Sequence, residues 1–173
     1  VDPFVAPSHG NLFSTPDMRA LWSDARRCAA MIEVEAALAR AQGTCGMISQ
    51  DSAAAISAAL TGFVADSAAL GAGSESAGVP VPALVAQLRN HVGGEAARYI
   101  HWGATSQDII DTALVLVLRE TIAGFETALE RLVTALATMA RAHADTVMLA
   151  RTRMQQAAPT TFGLKVAGWR APL

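Results

Sequence analysis

Aromatic residues make up only 5% of the chain, cysteines number two, and charges of one sign never cluster; each shortage excludes something. Thirteen basic and fifteen acidic residues give a net charge of -2 with no run of like charges, so no nucleic acid and no membrane surface is expected as a partner. Cys28 and Cys45 stand in no CxxC and in no cluster with histidine. No metal site is expected, and two buried, reduced thiols are expected rather than a disulfide. The longest continuous apolar run, Ala113 to Leu118, falls far short of the ~20 residues a membrane span requires, and no basic and apolar leader opens the chain. A cytoplasmic protein is therefore expected, with a small molecule or another copy of itself as partner. The chain lacks an initiator Met and stops at Leu173 after a helix-like stretch, so one or both ends are expected not to be natural ends.

What is plentiful is alanine, with leucine and valine, in a composition that is 52% hydrophobic. That mixture favours closely packed helices over a sheet-based core, so the expected fold is all-α. With 173 residues the chain suffices for one unit with a substantial core.

Residues 1 to 14 hold Pro3, Pro7, Gly10 and Asn11 without periodicity and read as an arm or loop. Thr15, Pro16 and Asp17 then offer an N-cap, an N1 proline and a dipole partner, predicting a helix to about Gln42, stopped by Gly43 and Gly46. Ser49 predicts a second helix to Leu60, and a short piece from Phe63 to Leu70 leads into a flexible GAGSESAG loop. A helix over 82–90 is predicted after Pro80 and Pro82, broken by Gly93 and Gly94, with a brief turn over 95–99. Thr105 and Asp108 have capping-box spacing, and from Gln107 to about Ala144 no proline interrupts a helix of about 38 residues, about 57 Å long. Ala113 to Leu118 is apolar on every side, and Ile122, Phe125, Leu129, Leu132, Val133, Leu136 and Met139 continue one stripe. So long and greasy a rod is expected to pack partly against other subunits. Thr146 to Ala150 reads as extended, and Pro159 or Thr160 as the start of a last helix through Trp169.

Chemistry concentrates at HWGATSQDIID, residues 101 to 111. A glycine loop entering a long helix gathers free N–H groups, a positive dipole end and the Thr105, Ser106 and Gln107 donors, which suit a carboxylate or an oxyanion. Plain helix capping by Thr105 is the alternative. His101 is a candidate acid, base or donor, or a satisfied structural group. Arg151 and Arg153 sit one residue apart with Gln155 and Gln156 behind them. In an extended segment alternation puts both guanidiniums on one face, toward an anion or toward Asp108, Asp111 or Asp145. His9, His91 and His143 carry no motif.

Three segments carry a resemblance. HWGATSQDIIDTALVLVLRETI resembles the block shared by adenylosuccinate lyases and 3-carboxy-cis,cis-muconate cycloisomerases of the fumarase and aspartase superfamily. PDMRALWSDARRCAAMIEVEAALARAQGTCGMI is similar to the first helix of both families, and MLARTRMQQAAPTTFGLKVAGW to the cycloisomerases in particular. Departures separate the two. Where adenylosuccinate lyases typically have Arg-Tyr-Ser for the nucleotide phosphate, this chain has Leu12-Phe13-Ser14. Their Thr-x-His-Asp-Val is replaced by Gly78-Val79-Pro80-Val81-Pro82, and their Gly-Arg-Thr-His by Ala150-Arg151-Thr152-Arg153. An arginine there binds a carboxylate but is a poor proton donor or acceptor.

The resemblance implies a fumarase/aspartase-like fold, with an N-terminal helical domain over 1–104 and the start of a central helix bundle over 105–173. It implies a cycloisomerase of protocatechuate breakdown acting on a small tricarboxylate, needing no cofactor, and assembled as a homotetramer with sites shared between subunits. His101 and Arg153 become the catalytic candidates, and Trp102, Thr105, Ser106, Gln107, Arg151 and Gln155 the substrate-binding ones. Asp108 is expected to orient the loop. The superfamily's signature loop, Gly-Ser-Ser-x-Met-Pro-x-Lys-x-Asn-Pro, is absent from these 173 residues, so the chain alone is expected to be inactive. A fumarate-releasing lyase of the adenylosuccinate lyase type and an inactive helical assembly module are the alternatives.

Overall fold

The computed structural model describes residues 10–173; the expected arm and His9 lie wholly or partly outside them. The described part of that arm is not a loop, because Gly10–Phe13 form a short helix, α1. The chain divides into two compact units, 1–121 and 122–173.

In the first unit, α2 (Pro16–Leu21) starts as predicted, with the Thr15 hydroxyl accepting from Met18 N–H. The single helix expected to Gln42 is in fact two. Ser23 is extended and caps α3 (Asp24–Thr44) through Arg26 N–H, so a second strong N-cap breaks a helix across which the apolar spacing runs unbroken. Then come α4 (Gln50–Leu60), capped by Ser49 as expected, and α5 (Ser67–Ala77). The GAGSESAG segment is therefore helical and not a flexible loop. Asp66 accepts from Ala68 and Ala69 N–H and so nucleates it, while Gln87 of α6 (Val81–Val92) bonds both the N–H and the carbonyl of Asp66. A 3-10 turn, Ala96–Tyr99, follows.

The core of this unit is built from Ile56, Val81, Leu84, Leu88 and Ile100. Helix α7 (Ser106–Ala142) adds Ile109, Ala113, Val117 and Thr121, four residues apart, as one buried stripe. Arg26 of α3 grips Glu120 of α7 through two nitrogens, Nη2 and, at 3.3 Å, Nε, while Nη1 reaches Glu33 at 3.0 Å. The other side of the Ala113 to Leu118 run is bare: Leu114, Val115 and Leu118 are exposed.

The second unit holds the rest of α7, a hairpin and α8 (Phe162–Arg170). Strand β1 (Val147–Thr152) pairs antiparallel with β2 (Gln155–Thr161), with a register shift between Leu149 and Arg151. Pro159 therefore lies in a strand, opposite Leu149, and starts no helix; Thr161 caps α8 instead, accepting from Leu164 N–H at 3.2 Å. Gly163 N–H donates to the His143 carbonyl at 2.9 Å, and the Phe162 ring packs edge-on to His143. Both cysteines are free, but Cys45 is exposed at the end of α3 and Cys28 only part-buried, against the expectation of two buried thiols. Among the described residues no helix is long and apolar enough to cross a membrane.

Candidate active site

The loop between the 3-10 turn and α7 is bent by two left-handed residues, His101 (φ 62) and Gly103 (φ 72). Glycine adopts that conformation freely, whereas at His101 it costs on the order of 1 kcal/mol or more. Three side chains hold the loop there. His101 Nδ1 lies 2.6 Å from Glu35 Oε1, Gln42 Nε2 donates to the Trp102 carbonyl at 2.6 Å, and Arg89 Nη2 donates to the Ile100 carbonyl at 3.1 Å. Glu35 and Gln42 are seven residues apart, two turns along one buried face of α3. Each keeps one oxygen, Glu35 Oε2 and Gln42 Oε1, without a partner among the described residues. Burial pushes the Glu35 carboxyl above its ordinary value, with the bond to His101 and the charges of His101 and Arg89 pulling the other way.

Beyond the loop, Thr105 N–H donates to Asp108 Oδ2 at 2.9 Å, and Asp108 N–H to the Thr105 carbonyl at 3.1 Å. The capping box is thus half made: Asp108 orients the loop, but the Thr105 hydroxyl caps nothing. The hydroxyls of Thr105 and Ser106, and the N–H groups of Ser106 and Gln107, have no acceptor or donor among the described residues. Unpaired donors at the positive end of a 37-residue helix are what an anion requires. Gln107 differs from its expected part, since its Nε2 already donates to Asp111 Oδ1 at 2.6 Å. Trp102 is half exposed, edge-on to Tyr99 at 5.5 Å.

In the second unit Arg151, Arg153 and Gln155 are exposed in the hairpin. Alternation does not put the two guanidiniums on one face. Arg153 (φ 40) and Met154 (φ 65) are both left-handed and form the two-residue turn between Thr152 and Gln155, so Arg153 stands at the tip while Arg151 lies in the strand. Among the described ion pairs neither arginine meets Asp108, Asp111 or Asp145. Arg151 shares an open groove with Lys165, a second cation that was not singled out in the sequence. The sequence candidates thus gather into two groups, His101 to Gln107 in one unit and Arg151 to Gln155 in the other. An apolar cavity of about 110 Å³ lined by Trp22, Met31, Ile110 and Val117 includes none of them.

Glu35 and Gln42 were missed. The signal was present: both fall on the stripe of Ile32, Ala36 and Ala39, where a polar side chain needs a buried partner.

A family described as lyase matches residues 13–173, and the chain belongs to that family. It is 40% identical over 176 residues to the 3-carboxy-cis,cis-muconate cycloisomerase of Bradyrhizobium diazoefficiens, covering 100% of this chain and 38% of that protein. It is 44% identical over 155 residues to the nitrosuccinate lyase of Streptomyces davaonensis, covering 88% of this chain and 33% of the relative. The crystal structure of the 3-carboxy-cis,cis-muconate lactonizing enzyme from Pseudomonas putida matches with a TM-score of 0.86 at 42% identity, covering 90% of this chain and 36% of that one. The expected helical, fumarase/aspartase-like fold is therefore found, with a two-stranded hairpin added. The chain spans about a third of the length of these relatives.

Proposed function

We propose that this chain is the N-terminal part of a cycloisomerase that interconverts 3-carboxy-cis,cis-muconate and 4-carboxymuconolactone. The observation that carries this reading is the cluster of unpaired donors, the hydroxyls of Thr105 and Ser106 and the N–H groups of Ser106 and Gln107, in a chain 40% identical to a protein named for that reaction. In the reaction a substrate carboxylate oxygen bonds to a carbon of the conjugated double bond, and a proton is added to the neighbouring carbon. No electron leaves the substrate, so no cofactor is called for.

Helix α7 presents its N-terminal donors to one carboxylate, and Trp102 walls the pocket. Arg151 and Arg153 neutralise the others and Gln155 hydrogen-bonds to them, which holds the substrate bent so that oxygen meets carbon. Arg153 also faces the negative charge that develops as the double bond is attacked, and His101 donates to it. The complete site is assembled from copies of the chain in a homotetramer, as the superfamily resemblance implies. The free thiols Cys28 and Cys45 suit a reducing cytoplasm.

The test follows the loss of muconate ultraviolet absorbance with the complete gene product and, beside it, residues 1–173 alone. Turnover is expected of the first and none of the second; an inactive complete protein, or an active 173-residue chain, refutes the corresponding half of the proposal. The 44% identity to a nitrosuccinate lyase favours one other reading, a lyase releasing fumarate. Fumarate formation without any change in muconate absorbance would select it.

A further inference from the structure

We propose that Glu35 is a positioning residue that keeps a proton on Nε2 of His101, so that the imidazole meets the substrate as a donor and not as a base. This rests on the reading above only for what the donor acts on. The observations are geometric. Glu35 is 2% exposed, its Oε1 lies 2.6 Å from His101 Nδ1, and its Oε2 has no partner among the described residues. His101 retains 17% of its side-chain exposure, and its Nε2 has no partner among the described residues. The ring is therefore held by one nitrogen from inside and offers the other outward.

The protonation states of such a pair can be enumerated. A bare carboxylate beside a neutral imidazole leaves a net negative charge buried in the core, the state that desolvation disfavours most. Two arrangements of one further proton avoid it. Either Glu35 is ionised and His101 is an imidazolium, or Glu35 is protonated and donates to Nδ1. In both, the outward Nε2 carries hydrogen, so the donor role survives whichever way the inner proton sits.

The charged groups facing Glu35 are His101 on the loop and Arg89 on α6, and Arg89 is engaged by the Ile100 carbonyl at 3.1 Å. Gln42, the other buried polar group on this face of α3, is neutral and bonds the next residue of the same loop. The left-handed backbone at His101 belongs to the same device. A strained conformation persists only where its surroundings over-determine it, and Glu35, Gln42 and Arg89 fix three successive residues.

The experiment compares the complete gene product with Glu35→Gln and Glu35→Asp by two readouts. Glu35→Gln keeps the shape and removes the shared proton. Its kcat is expected to fall roughly tenfold or more at pH 8 with KM within about twofold, and the alkaline limb of its pH profile to move down by about one unit. Glu35→Asp keeps the limb in place. The 15N resonance of His101 Nε2, picked out of four histidines by its loss in His101→Gln, is expected to report a protonated nitrogen at neutral pH in the parent and a smaller protonated fraction in Glu35→Gln, whose amide accepts from Nδ1 as readily as it donates. A profile of unchanged shape together with an unaltered 15N signal would overturn the proposal, because a merely structural glutamate scales activity without moving either. If the parent turns over no carboxymuconate, the functional reading fails, and the 15N comparison still decides the role of Glu35.

Discussion

Gly163 of α8 lies so close to the carbonyl of Ala140 in α7 that a methyl group on its α-carbon would stand 2.5 Å from that oxygen. The same methyl would meet the His143 carbonyl at 2.7 Å and the α-carbon of Ala144 at 2.8 Å. All three are backbone atoms, so no side chain can rotate aside. Gly163→Ala must push α8 off the end of α7 and break the Gly163 bond to His143. A loss of about 1–3 kcal/mol is expected. It should be confined to residues 122–173, so amide exchange will speed up in α8 and the hairpin while Leu84 and Ile109 stay protected.

The helices were legible where a cap and a period agreed, as at Thr15 and at Ser49. The break at Ser23 was not, because Leu21, Trp22 and Ala25 continue the helical spacing across it and periodicity carries no record of where the axis turns. Helix α5 was hidden by its glycines and serines, since it is held by the Gln87 clamp on Asp66, a contact between residues 21 apart. The first half of the site was readable because Thr105 to Asp108 bond mainly to one another. Glu35 was marked only as a polar residue on an apolar stripe, and its partner, 66 residues away, was not legible.

Burial gives Glu35 a pH signature, which its partner His101 opposes. Burial raises its folded value above the ordinary 4.5, so the folded protein holds this proton more tightly than the unfolded chain does. The resulting stability is complete below pH 4.5 and is lost as pH rises through the folded value. Relative to Glu35→Gln, the parent should be at its most stable in acid and lose ground above 4.5. Paired urea titrations from pH 4 to pH 8 will show it; a difference independent of pH would remove burial as the governing effect.

Glu120 should behave in the opposite sense. Its hydrogen bonds to Arg26 hold its carboxyl below 4.5, so the grip of α3 on α7 contributes above that value and is lost as pH falls through the folded one. Glu120→Gln is expected to be less stable than the parent at pH 7 and to approach it as pH falls through the folded value. The effect is small, because the carboxylate is solvated and salt screens it. Thermal unfolding in low and high salt checks both points, the difference shrinking in the second.

The hairpin turn breaks its own rule, since Arg153 and Met154 occupy left-handed positions that favour Asn-Gly. Met154 is 97% exposed and packs on nothing that would compensate. Met154→Gly relieves a strain of about 1–2 kcal/mol against an entropic cost of about 0.5–1 kcal/mol, for a net gain of about 0–1.5 kcal/mol. Met154→Val, β-branched, is expected to lose stability. Exchange at the Thr152 and Gln155 amides, the pair that closes the turn, reads both changes, and slower exchange in Met154→Val would contradict the turn assignment.

Ile122, Phe125, Leu129 and Leu132 run along α7 at spacings of three, four and three, and all are large, apolar and 44–55% exposed. Water tolerates one such residue readily; four in a row are the stripe by which helices bundle. Covering the exposed half of each side chain is worth about 1 kcal/mol, so several copies of the stripe packed together amount to a strong association. The 173-residue chain, 18.0 kDa as a monomer, is therefore expected to sediment as an oligomer at micromolar concentration. Phe125→Glu with Leu129→Glu would bury two charges in that contact, and the doubly substituted chain should sediment as a monomer. Its far-ultraviolet circular dichroism should be unchanged, because neither side chain belongs to the buried core. A parent chain that is monomeric under the same conditions would mean that something other than copies of α7 covers the stripe.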